Sequence, residues 1–190
     1  MSSATTAGEA SGSAGRQRIH TRRVECTGYL RRDGLWDIEG RLDDSKTHAV
    51  LLSEGRTVEA GQTYHGMTVC LTLDDTFTIQ AVAVTMSDVP TSECRGAAPN
   101  YAQLVGLRIG PGFTRTVKTL FGRTGGCTHL TELLLPIATT AFQTIPMARA
   151  MVAPRDAHDA GAYTRARAGL VDTCHALRAE GPIAQRYLKG

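Results

Sequence analysis

"WDIEGRL", residues 36–42, alternates: Trp36, Ile38 and Leu42 fall on one side, Asp37, Glu39 and Arg41 on the other. A strand sends successive side chains to opposite faces, so this is the pattern of a sheet packed on one face and wet on the other. "MTVCLTL" at 67–73 repeats it, setting Met67, Val69, Leu71 and Leu73 against Thr68, Cys70 and Thr72. The "DDT" turn leads into "FTIQAVAVTM" (77–86), a β-branched run with two apolar faces, which predicts a more central strand. "VECTGYLRR" before these runs and "AVLL" around Val50 read as weaker strands.

Beyond Pro90 the period changes. "APNYAQLVGL" holds a short helix, "GFTRTVKTLFG" another that stops at Gly122, and Cys127 to about Ile145 is the longest helical stretch, with Pro136 expected to kink or split it. "DAGAYTRARAGLVDTCHALRAEG" (159–181) carries Tyr163, Ala166, Leu170, Cys174 and Leu177 at helical spacing. Strands first and helices second predict an α+β fold: an antiparallel sheet from the N-terminal half, covered by helices from the C-terminal half in two layers. Residues 1–17, mostly Ser, Ala, Gly and Thr at their start, read as a disordered arm, and 18–190 as a single domain.

The 190 residues carry 42% hydrophobic and 21% charged side chains, with a net charge of +3, as in an ordinary globular protein. No run approaches the roughly 20 apolar residues needed to cross a bilayer, so no membrane partner is expected. Aromatic residues make up only 5%, too few to stack bases, so nucleic acid is not expected either. The five cysteines are odd in number and widely spaced, there is no CxxC pair, and the start has no apolar signal core. Reduced thiols and a cytoplasmic location are the expectation.

Chemistry concentrates in "GGCTHLTELLL" (125–135). A helix beginning near Cys127 would place its positive end beside the sulfur and favour thiolate, with His129 in reach at the first turn and Glu132 three residues on to orient the ring. The alternative is a plain buried helix start with a packing cysteine. His65, before a strand, and Cys94, in a loop after one, would complete a Cys2His2 set with Cys127 and His129, suited to zinc or iron. Asp37 and Glu39 are neighbours on the wet strand face and could act as an acid and base pair, or simply be solvated. Arg22, Arg23, Arg31 and Arg32 would suit a carboxylate or phosphate on a substrate.

Taken together, "GYLRRDGLWDIEGRLDDSK", "YHGMTVCLTLDD", "FTIQAVAVTM", the later Pro90 and Cys94, "LVGLRIGPGF" and "GCTHLTELLLPIATTAFQ" resemble a bacterial family of unknown function typed by its Asp-Gly-Leu-Trp-Asp and Gly-Cys-Thr-His-Leu strings. The resemblance covers roughly residues 20 to 145. It implies that Arg32 to Asp37, His65 and Met67, Cys94, and Cys127 to Leu133 are family positions. Cys70 departs from it, standing where the family often has Arg. The expectation is a small enzyme, a lyase or hydrolase acting on a small organic acid or thioester, within aromatic-acid catabolism. Its catalytic groups would be Cys127, His129, Glu132, Asp37 and Glu39, with Arg31, Arg32 and Trp36 binding the substrate. Alternatively, Cys127 and His129 would bind zinc or iron together with His65 and Cys94. A metal or iron–sulfur carrier and a non-catalytic interaction subunit are the alternatives, and a sheet-edge homodimer is compatible with the pattern.

Overall fold

The computed structural model describes residues 15–151 and 170–188. Six strands come first: β1 (His20–Leu30), β2 (Trp36–Lys46), β3 (Val50–Leu51), β4 (Thr57–Val58), β5 (Thr63–Leu73) and β6 (Ile79–Asp88). A 3-10 segment (Ser92–Leu104) and the helices α1 (Phe113–Phe121), α2 (Thr128–Met151) and α3 (Pro182–Leu188) follow. The fold is α+β. Its main sheet is antiparallel in the order β1-β2-β5-β6, while β3 and β4 form a small separate hairpin.

The alternation read in β2 and β5 places Trp36, Ile38, Leu42, Met67, Val69, Leu71 and Leu73 in one core. Helix α2 closes that core with Leu130, Leu133, Leu134, Ile137, Ala141 and Ile145, an apolar stripe at helical spacing. Gly40 lets the helix lie close on β2: a Cβ there would come within 2.6 Å of Ile137 Cγ1. The opposite face of the sheet carries Asp37, Glu39, Arg41, Cys70 and Thr72.

Three expectations change. The β-branched run 77–86 becomes the edge strand β6 rather than a central one: Ile79, Val82, Val84 and Met86 turn toward the core, while Ala81, Ala83 and Thr85 on the other face are exposed. Helix α2 is not split at Pro136; it runs 24 residues through both Pro136 and Pro146, its apolar stripe anchored to the sheet on either side. Residues 170–181 form turns and a short 3-10 turn at His175–Leu177, not a continuous helix. The rest of the helix expected over 159–181, and residues 1–14 of the expected disordered arm, lie outside the described residues. Among the described residues no helix is long and apolar enough to cross a membrane.

Candidate active site at the covered end of the sheet

Register builds the site. Arg22 of β1 pairs with Asp44 of β2, which pairs with His65 of β5, so three polar side chains form one row across the helix-covered face. Asp44 continues the inward series Trp36, Ile38, Leu42 and is fully buried. A buried carboxylate needs compensation, and Asp44 receives four donors. Arg22 spans it with Nε on Oδ1 and a terminal nitrogen on Oδ2, both at 2.8 Å; His20 Nε2 donates to Oδ1 at 3.1 Å, and His65 Nδ1 to Oδ2 at 3.0 Å. Irregularities in strand pairing at Asp44/Ser45 and at Gly66/Met67 flank the row, as bulges beside functional sites do.

The start of α2 covers this row. His129 lies against His65 with ring centroids 3.9 Å apart and planes tilted by 34°, its Nε2 lies 3.8 Å from Asp44 Oδ2, and its Nδ1 lies 3.9 Å from Cys127 Sγ. The imidazole therefore stands between thiol and carboxylate. Cys127 is held by the buried Tyr101, whose hydroxyl accepts from the Cys127 N–H at 3.1 Å and lies 2.9 Å from its carbonyl and 2.7 Å from Thr131 Oγ1. Thr131 donates to the same carbonyl through both its N–H and its hydroxyl. Gly126 is required by space, since a Cβ there would lie 2.8 Å from both Phe121 Cβ and the Tyr101 hydroxyl.

The electrostatics follow from this packing. Burial alone would raise the Asp44 carboxyl, but the hydrogen bonds from Arg22 and His20, the Arg22 charge and the His65 contact outweigh it and hold it far below the ordinary carboxylate range. His65 is lowered by burial and by His129, against the pull of Asp44. His129 is lowered by burial and by the Arg22 cation, against Asp44 and Glu132. Near neutral pH the site thus holds an ionised carboxylate and two neutral imidazoles.

Of the residues singled out from sequence, His65, Cys127 and His129 meet here. Glu132 stands at the edge and bonds Arg22 at 2.7 Å, so the carboxylate nearest His129 is Asp44. Cys94 packs against the hydrophobic core, and among the described residues it joins no group of metal-compatible side chains. Asp37 and Glu39 lie on the open face, where Asp37 accepts from Thr72 at 2.7 Å and pairs with Arg31. Arg31 is bound to Asp33 at the β1–β2 turn, Arg32 lies exposed in the same turn, and Trp36 is a core residue donating to Asp75 at 2.9 Å. These sit at the far end of β2, eight residues and about 26 Å of strand from Asp44.

Asp44 and His20 were missed as site residues. The signal for Asp44 was present: the period that buries Trp36, Ile38 and Leu42 also turns residue 44 inward, and an inward Asp demands partners. His20 and Arg22 share that period on β1, but nothing local tells which strand they join.

The chain belongs to the family described as protein of unknown function DUF2889, whose model matches residues 20–143. No curated protein and no solved structure matches the chain.

Proposed function

We propose that the protein is a small thiol-dependent enzyme, a hydrolase or lyase acting on a small organic acid or thioester, with Cys127 as nucleophile. His129 is the base that receives the thiol proton, and Asp44 is the buried anion that steadies the resulting imidazolium. The observation that carries this reading is the continuous run Cys127 Sγ, His129 Nδ1, His129 Nε2, Asp44 Oδ2, with separations of 3.9 and 3.8 Å across the ring. Such contacts are looser than hydrogen bonds and tighten when substrate closes the site. The first N–H groups of α2 have no partner within the helix, and a carbonyl attacked by Cys127 would place its developing oxyanion near them. With a thioester, the sulfur of Cys127 adds to the carbonyl, the substrate thiol leaves with the proton from His129, and water then releases the acid. A place in aromatic-acid catabolism and a cytoplasmic setting remain part of this proposal.

A zinc or iron centre is the second reading, favoured by the ligand atoms of Asp44, His65 and His129 lying within 4.8 Å of one another. Neutral imidazoles fit a divalent metal. The carboxylate fits less well: four donors already fill its acceptor positions, and a ligating Asp44 would have to release Arg22 or a histidine. When bound there, a metal would polarise a substrate carbonyl or water.

The test is intact-mass spectrometry of the protein incubated with a panel of small acyl thioesters, beside elemental analysis of the same sample. An acyl adduct that maps to Cys127 and vanishes in Cys127→Ala supports the thiol enzyme. Near-stoichiometric metal that is lost in His65→Ala but kept in Cys127→Ala, with no adduct, would replace it with the metal reading.

A further inference from the structure

Strand β1 is eleven residues long and, among the described residues, pairs only with β2. Its inner edge is fixed by two hydrogen bonds beyond the strand ends: Arg31 N–H donates to the Leu35 carbonyl, and Thr47 N–H to the Ile19 carbonyl. Strand groups alternate in direction, so the odd residues from Ile19 to Arg31 point toward β2. The even residues His20, Arg22, Val24, Cys26, Gly28 and Leu30 therefore present their N–H and C=O groups outward. An edge of this length is a template for another strand. Ile19, Val24, Tyr29 and Leu30 are exposed along it. Arg23 and Glu25 flank Val24 on the open face, opposite Asp43 and Arg41 of β2, and Glu25 attracts Arg41 across the sheet.

We infer that two copies of this chain pair antiparallel through β1, with the two-fold axis at Val24, to give a continuous eight-stranded sheet. The occupant follows from the side chains. Two outward edges meet only with outward residues opposite one another, which restricts a symmetric pair to registers centred on a single residue. A centre at Val24 sets Arg23 against Glu25 of the other copy, twice, and Ile19 against Tyr29, twice. These are the odd, non-hydrogen-bonded positions, where side chains approach most closely. Val24 meets Val24, Arg22 meets Cys26 and His20 meets Gly28 at the hydrogen-bonded positions. A centre one residue earlier sets Arg23 against Arg23, and one residue later Glu25 against Glu25, opposing like charges at the closest pairs. Of these three registers, the one centred on Val24 alone opposes unlike charges and apolar side chains, and this self-complementarity points to a second copy as the partner. This does not depend on the thiol chemistry proposed above, but it has a consequence for that site. His20 and Arg22, whose side chains are 38% and 37% exposed, would lie along the seam, leaving the Cys127 and Glu132 side as the way in.

The test is sedimentation equilibrium of the full chain, with Val24→Cys oxidised by glutathione disulfide and with Val24→Pro, each checked for fold by circular dichroism. Facing residues at hydrogen-bonded positions have Cα atoms about 5.5 Å apart, within disulfide reach. A wild-type mass of twice 20.3 kDa is expected. So is a Val24→Cys chain that cross-links through position 24, as mapped by peptide mass spectrometry. Val24→Pro removes one outward N–H and no bond to β2, and is expected to fold as a monomer. Cross-linking at position 24 supports the pairing even should Val24→Pro fail to fold. A monomeric wild type, a dimer in which Val24→Cys gives no cross-link, or a folded Val24→Pro that stays dimeric would overturn it.

Discussion

Asp43 and Asp44 are adjacent in the chain and live on opposite faces of the sheet. On the open face Asp43 pairs with Arg41 at 2.6 Å in contact with water; on the covered face Asp44 is fully buried beneath α2 and held by Arg22, His20 and His65. The same carboxylate is a solvated surface charge in one setting and the anchor of a site in the other. Burial decides between them, because an anion removed from water must be matched by donors, and those donors converge as a constellation. The open face has more charges but no such convergence: Arg31, Asp33 and Asp37 make short-range pairs near one turn, and Cys70 lies beside Asp37 and Glu39 with its thiol pushed up to about 11 by burial and by those carboxylates.

This contrast can be broken by paired substitutions. The largest expected difference is in chemistry. Cys127→Ala abolishes acyl-adduct formation, whereas Cys70→Ser on the open face leaves it within about twofold; equal losses would remove the covered face as the reactive one. Next is stability. Asp44→Ala should cost about 1–3 kcal/mol in urea denaturation, since it leaves the buried His65 donor without its acceptor, while Asp43→Ala should be barely measurable. Gly126→Ala should cost about 1–3 kcal/mol by pressing on Phe121 and Tyr101, and should slow alkylation of Cys127 by displacing it.

Smaller, and sharper in form, is the pH response. His65 and His129 are lowered in the folded protein, so the unfolded chain takes up their protons first. Stability present at pH 7 is then lost as pH falls from about 6.5 through the lower folded values. Asp44 is also lowered, so its contribution is held above its ordinary value near 3.8 and lost only as pH falls further, through its folded value. Acid titration of stability should therefore show a histidine step before a carboxylate step. His65→Gln should diminish the first.

How much was legible locally depended on the kind of signal. The period in 36–42 and 67–73 identified two strands and their buried faces, because burial of alternate side chains is written into neighbouring residues. The glycine pair and "CTHL" marked the helix start that carries Cys127 and His129. Cys94 was attached to that set by residue type alone, and type does not say what a side chain packs against; it lies against the core. Arg31 and Arg32 were read toward a substrate by their charge, and Trp36 beside them; in the structure they stand at the end of β2 opposite Asp44, because a strand carries its two ends far apart.

The sequence by itself determined an antiparallel sheet under helices and the helix start where a thiol and an imidazole sit close together, since both rest on local period and spacing. Only the tertiary structure decided that Arg22, Asp44 and His65, from three strands, stand in one row and that His129 closes over them. Cross-strand neighbours are set by pairing register and by how α2 lies across the sheet, relations between distant segments that no local stretch of the chain encodes.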